Sequence, residues 1–220
     1  MTATQPQNAA ADRAQTFIDW TRINARALAA GAAIVVVAAA GYWFYMRSKE
    51  IRAANAERAL SQAKQSMSAG NLALAQSDLQ KVYSQWGSTS AGVEAAMLLS
   101  QIDFDAGKYQ DGISRLEKAA GTGAASPSQS TLESLEGDGY AQMGKMADAA
   151  KAYQRAADAT VFQTDKAFQR AKAARAYQAA GDTANARAIW TALLTDPASQ
   201  MMASEARIRL GELSVQPAKR

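Results

Sequence analysis

Gly70, Gly107, Gly144 and Gly181 stand at one fixed interval of 37 residues, and this interval restricts the fold more than any other feature of the chain. Self-similarity at such a period marks a solenoid, in which one supersecondary unit is copied and stacked. Glycine suits the left-handed backbone position that closes a helix and turns the chain into the next one. Other positions keep the same step. Seven residues before the glycines lie Ala63, Ser100, Gly137 and Ala174, and a further step of 37 reaches Gly211. Five residues after them come Ala75, Gly112, Ala149 and Ala186; nine after come Leu79, Leu116, Tyr153 and Trp190; twelve after come Val82, Ala119, Ala156 and Leu193. Small residues recur where two antiparallel helices cross closely, and large ones where the space between them needs filling.

Composition supports helices throughout. Four prolines punctuate 220 residues, alanine supplies much of the apolar content, and β-branched residues cluster only at Ile34-Val35-Val36-Val37. The expected fold is all-α. The chain holds no Cys and no His, which removes thiol nucleophiles, disulfides, the usual zinc and haem ligands and any Ser-His-Asp triad. The net charge of +4 comes from 24 basic residues alternating with 20 acidic ones, without a basic stripe for nucleic acid. Carboxylate pairs such as Asp103/Asp105 and Glu133/Glu136 lie among polar helix surface without a basic or metal partner at useful spacing. No catalytic residue, cofactor, metal or small-molecule substrate is expected.

Ahead of the repeats, Ala27 to Met46 forms 20 residues without a charge. At about 1.5 Å per residue a helix of this length matches the hydrocarbon core of a bilayer. Arg26 and Arg47 bracket it, and Tyr42, Trp43, Phe44 and Tyr45 form an aromatic belt at one end, with Trp20 placed for the opposite interface. A cleaved secretion signal competes with this reading, because Ala38 and Ala40 could form a cleavage site. The 26-residue lead, the aromatic block and the basic residues Arg47, Lys49 and Arg52 favour a retained anchor. Flanking charge, three basic residues before the span against four after it, does not set the orientation. Ala29 and Ala33 give the span a small face that either packs against another membrane protein or belongs to a plain alanine-rich anchor. Between Tyr42 and Asn71 the only helix breaker is Gly70, so the membrane helix is expected to run into the first repeat helix as one rod. The expected segments are a tail over 1–26, a transmembrane helix over 27–46, repeats over 47–214 and a second tail over 215–220.

At this point the chain resembles the tetratricopeptide repeat. Gly137, Tyr140, Ala149, Tyr153 and Ala156 have that motif's spacing, and Ala174, Tyr177, Ala186 and Trp190, with Pro197 beyond, follow it less fully. Ser66 and Asp103 stand where an aromatic is usual, and the period exceeds the usual one, leaving room for loops such as Gly121 to Pro127. Four helix pairs are expected, closed by a capping helix over Ala203 to Leu213 whose Arg207, Arg209 and Glu212 present a polar face. The resemblance implies that the first helix of each pair lines a concave groove for partner proteins. It puts Lys64, Gln101, Asp138 and Arg175 at one groove position and Met67, Phe104, Ala141 and Gln178 at another. The basic stretch Lys166, Arg170, Lys172 and Arg175 reads as a solvated face with ion pairs, or as a contact for anionic lipid.

The whole arrangement of tail, span, aromatic block, degenerate repeats and a closing Ser-Glu-Ala-Arg-Ile helix is similar to the ancillary subunit of the bacterial Sec translocon, the YfgM type. Ala91 to Ala120 and Gly181 to Leu213 carry the likeness. It implies a cytoplasmic N-terminus, periplasmic repeats on an inner-membrane anchor, and partners in the translocon and a periplasmic foldase. The function implied is help in handing translocated chains to periplasmic chaperones. A scaffold for a cell-envelope or cytochrome-maturation complex is the competing reading.

Overall fold

A computed structural model describes residues 8–215. Among them ten α-helices account for nearly the whole chain and no strand occurs. The chain divides into two units, Met1–Ile51 and Arg52–Arg220.

In the first unit, α1 spans Asn8–Ile23, where the sequence pointed only to a tail, and α2 begins at Ala25. Between them Asn24 turns its side-chain amide back to donate to the Trp20 carbonyl at 2.9 Å. The apolar stretch is exposed from end to end, with Ile34 at 70% and Trp43 at 67%. The helix that carries it is long and apolar enough to cross a membrane. An exposed apolar surface of this extent marks a contact with a membrane or with another protein.

The helix α2 continues without interruption to Ser68, and its residues from Arg52 onward open the second unit. There follow α3 (Leu72–Trp86), α4 (Ser90–Asp105), α5 (Tyr109–Ala120), α6 (Gln129–Gln142), α7 (Met146–Ala159), α8 (Gln163–Ala179), α9 (Thr183–Thr195) and α10 (Gln200–Val215). From α3 onward each helix packs on the next, α2 shares a core cluster with α3 and α4, and α4 touches α6 as α8 touches α10. This is the contact pattern of stacked antiparallel hairpins. Part of the expected loop, Gly123–Ser128, winds into a 3-10 helix, and Pro197–Ser199 forms another before α10.

The four periodic glycines end helices as their spacing requires. Their φ angles are +76°, +74°, +74° and +82°, a region where a Cβ is strained. At each, two backbone bonds close the helix: Gly144 N donates to Ala141 O at 2.9 Å and Lys145 N to Tyr140 O at 2.9 Å, and the other three repeat this pair. Asn71 and Asp182 then cap the following helices, accepting from the amides of Leu74 and Asn185.

Periodic small and large positions form the core. Ala63, Ser100 and Ala174 are fully buried, as are Leu79, Leu116, Leu193 and Trp190. Three clusters follow the chain: α2, α3 and α4 around Leu60, Leu79 and Leu99; α4, α5 and α6 around Phe104, Ile113 and Leu132; α6 to α10 around Tyr153, Tyr177 and Trp190. A fully buried side chain of this size contributes roughly 1.5–3 kcal/mol.

The last helix extends the expected cap. It runs Gln200–Val215, longer than the expected cap, and its outer face is not polar throughout: Met201, Ile208 and Val215 are exposed at 76%, 63% and 83%.

Candidate functional site

The positions expected to line a groove lie on the first helices of the pairs, the repeat portion of α2 with α4, α6 and α8. Charged groups at the anticipated groove positions bind one another across successive first helices. Lys64 on α2 pairs with Glu94 on α4. Lys172 on α8 reaches Asp138 on α6 at 2.7 Å, and Arg175 on α8 holds Glu205 on α10 through two bonds of 2.7 and 2.5 Å. Lys64–Glu94 and Arg175–Glu205 span the same sequence distance of 30 residues, so one repeat position supplies the base and another the acid.

Beside this row α6, α7 and α8 form an open depression of about 310 Å³, lined by Ala141, Met146, Ala176 and Ala179 with Tyr153, Lys172 and Arg175. The Lys172 ammonium lies 4.4 Å from the centroid of the Tyr153 ring and donates to the Ser134 hydroxyl at 3.0 Å. Tyr153 donates its phenol proton to Asp138 at 2.6 Å. Burial first, and then that acceptor, push the Tyr153 phenol far above its ordinary value, so it stays a neutral donor. The Arg175 guanidinium lowers the pKa of Glu205, and the carboxylate in turn raises that of Arg175. The depression has an apolar floor with a fixed cation and a phenol at its edge.

Of the sequence-derived groove residues, Asp138 and Arg175 meet at this depression through Lys172, and Ala141 lines it. Gln178 sits one turn along α8, its amide 3.4 Å from Glu212. Lys64 and half-buried Met67 belong to the α2–α4 end, with Met67 packed on the core there. Gln101 is exposed on α4. Phe104 is corrected: its ring is buried at 5% exposure between Gly112 and Gly139, filling the core instead of the groove. The physical reason is the glycine opposite it, which leaves a hole that the ring enters. Lys172, Met146 and Glu205 were not singled out for the groove by sequence. The acid that follows each groove base by 30 residues was the available signal for Glu205.

Among the described residues no cluster of His, Cys, Asp or Glu is arranged to hold a metal ion. Glu133 and Glu136 are both held by Arg155, at 3.1 and 2.7 Å.

Comparison with known proteins agrees with the geometry. The model of the tetratricopeptide repeat-like domain family matches residues 19–131 and 54–172. Among solved structures, the nearly identical tetratricopeptide-like repeats of a protein assigned as a kinesin light chain of Podosopora anserina superpose with a TM-score of 0.53 at 15% identity, covering 72% of this chain and 89% of that one. A single-substitution variant of the same repeats gives the same values. At this identity the likeness speaks for the fold alone. No curated protein sequence matches the chain significantly. Folds of this kind typically serve as non-catalytic scaffolds for protein interactions. The chain belongs to the tetratricopeptide repeat-like domain family.

Proposed function

We propose that this protein is a membrane-anchored interaction module of the bacterial cell envelope, related in role to the ancillary subunit of the Sec translocon. In this reading residues 27–46 cross the inner membrane, the N-terminus is cytoplasmic, and the repeats over 47–214 face the periplasm. There they bind the translocon and a membrane-bound foldase and help hand emerging chains to periplasmic chaperones. One observation carries it: a fully exposed apolar helix stretch precedes a repeat domain of the protein-binding class. The groove residues Lys64, Met67, Gln101, Asp138, Arg175 and Gln178 are its proposed contact surface. Their mixed charge and apolar character suits varied extended segments better than one acidic tail.

Crosslinking in intact membranes with mass spectrometry, followed by copurification in mild detergent, tests the partners. Recovery of translocon subunits and a foldase supports the reading. Recovery of a dedicated envelope or cytochrome-maturation complex instead sinks it and favours an assembly scaffold. The absence of cysteine makes orientation directly measurable. Single Gln15→Cys and Ser214→Cys chains should react with an impermeant maleimide only from the cytoplasmic and periplasmic sides, respectively.

A further inference from the structure

The loop that joins α7 to α8 departs from its counterparts in the other repeats. At the 37-residue interval from Val161 stand Gly87, Ala124 and Ala198, and at the same interval from Phe162 stand Ser88, Ala125 and Ser199. Every counterpart is small, and Ala125 and Ser199 are buried. Val161 and Phe162 are 83% and 67% exposed. Two adjacent large apolar side chains thus face outward at a loop tip where the other repeats have little side chain to expose. The tip is held in place. The Phe162 amide donates to the Thr160 hydroxyl at 3.2 Å, and the Phe162 carbonyl accepts from the Lys166 amide at 2.9 Å as α8 begins. Lys166 follows Phe162 by four residues and so lies on the same side of α8. Among the described residues it forms no ion pair. Arg170, one turn further, shares a depression with Asp158, and Asp165 lines another with Ser199, so Lys166 is the cation left free beside the tip.

The repeat register also says which end of the stack this is. Arg52, Thr89, Ser126, Gln163 and Gln200 stand at the same 37-residue interval. Thr89 directly precedes α4, and Gln163 and Gln200 open α8 and α10. First helices of stacked hairpins run parallel, so Arg52, the first residue of the repeat unit, lies at the end where Val161 and Phe162 project. Met46 and Arg52 are six positions apart, about 20 Å at full stretch. Where residues 27–46 cross a bilayer, the Arg52 end of the stack therefore stays within that reach of it, however the two units are disposed. We propose that the Val161-Phe162 tip inserts into the lipid bilayer that holds the span, with Lys166 at the headgroup phosphates. This insertion rests on residues 27–46 being a span. A phenyl ring and a branched aliphatic side chain suit the boundary between headgroups and acyl chains, and a lysine one turn back along the helix reaches phosphate while its stem stays against apolar surface. Two such side chains hold a free protein to a membrane only weakly. A tethered domain needs no more, because the span makes insertion an intramolecular step.

The chain has no cysteine to compete with a label. Full-length chains carrying one nitroxide each, at Val161→Cys, Phe162→Cys, Leu72→Cys or Val36→Cys, are reconstituted into vesicles of phosphatidylethanolamine and phosphatidylglycerol. All four side chains are exposed, so the fold does not depend on them. Leu72 is an apolar residue at the opposite, glycine end of the stack, and Val36 lies mid-span. Relaxation by oxygen, which concentrates in lipid, is compared with relaxation by a water-soluble nickel chelate. Val161→Cys and Phe162→Cys are expected to favour oxygen several-fold more than Leu72→Cys does. Adding Phe162→Asp to the Val161→Cys chain should return its label to the Leu72 value, and adding Lys166→Glu should lower the preference part of the way. A preference at Val161 and Phe162 no higher than at Leu72 overturns the proposal, and so does one indifferent to both added substitutions. Shielding from both reagents overturns it too, because a protein then covers the tip. Val36→Cys reads the span separately. Oxygen preference there with a water-exposed tip defeats the insertion alone, whereas a water-exposed Val36 defeats the span and the insertion with it.

Discussion

The hairpins α4–α5 and α6–α7 share one backbone and fill it in opposite ways. In α6–α7 the first helix contributes the hole, Gly137, and the second contributes the knob, Tyr153. In α4–α5 the first helix contributes the knob, Phe104, whose ring fills the place that a Cβ on Gly112 of the second helix would take. Where α6 has glycine, α4 has Ser100, whose hydroxyl donates to Ala96 O at 2.8 Å and lies 3.0 Å from Gly112 O. Where α6 has Tyr140, α4 has Asp103, which binds Arg115 at 2.6 Å, and the guanidinium lies over the Tyr83 ring at 5.7 Å. Helix packing therefore fixes the summed volume at a crossing, while either partner can supply it. An ion pair held by an aromatic face replaces an aromatic wedge.

The largest effect expected from this comparison is at that pair. Asp103 and Arg115 expose 8% and 19% of their side chains, so Asp103→Ala strands a charge in a poorly solvated place. Loss of roughly 3 kcal/mol is expected in urea unfolding of the full chain in micelles, whereas Asp103→Leu with Arg115→Met should fall within about 1.5 kcal/mol of the parent. If the single variant is as stable as the double, the pair is decoration and the comparison loses its ionic half.

The exchange of knob and hole is tested next. Gly137→Ala and Gly112→Ala each force a methyl against a ring, and each should cost about 1–3 kcal/mol. Combined with Tyr153→Leu and Phe104→Leu respectively, each alanine should cost at least about 0.5 kcal/mol less than it does alone. Strict additivity in both cycles would show that ring and glycine are not coupled.

The smallest effects are in acid, and they separate the middle of the repeat domain from its last helix by sign. Glu136, on α6, has its pKa raised, burial outweighing the attraction of Arg155. Its folded state binds the proton more readily than the unfolded chain, so lowering the pH through its raised value favours folding. Glu205, on α10, has its pKa lowered by Arg175 of α8. Its contribution is present above the ordinary glutamate value of 4.5 and is lost as pH falls below it, through the lowered folded value. Glu205→Gln should therefore flatten the acid limb of the stability profile, and Glu136→Gln should remove a gain near and above the same pH. Hydrogen exchange on α10 and α6 across pH 3–6, roughly the carboxylate range, reads the two separately. Parallel profiles would defeat the contrast.

Much of this molecule was legible in particular residues. The 37-residue glycine interval located four helix ends, because a left-handed C-terminal position is a local backbone demand that glycine meets without help from distant contacts. The uncharged stretch from Ala27 to Met46 marked the apolar helix for the same reason: length and hydropathy are properties of the segment itself. The candidate groove was only half legible. Arg175 and Asp138 were found by register, but register gives a position on a helix and says nothing of what the neighbouring helix places opposite. Thus Phe104 turned inward to meet Gly112, and Arg175 met Glu205. The outer face of α10 was also decided late. Its stripe of Met201, Ile208 and Val215 is exposed among the described residues, where the sequence had pointed only to a polar face. Local backbone preference and segment hydropathy are written along the chain, whereas which side chain fills a hole depends on the partner helix, and only the packed structure brings the two together.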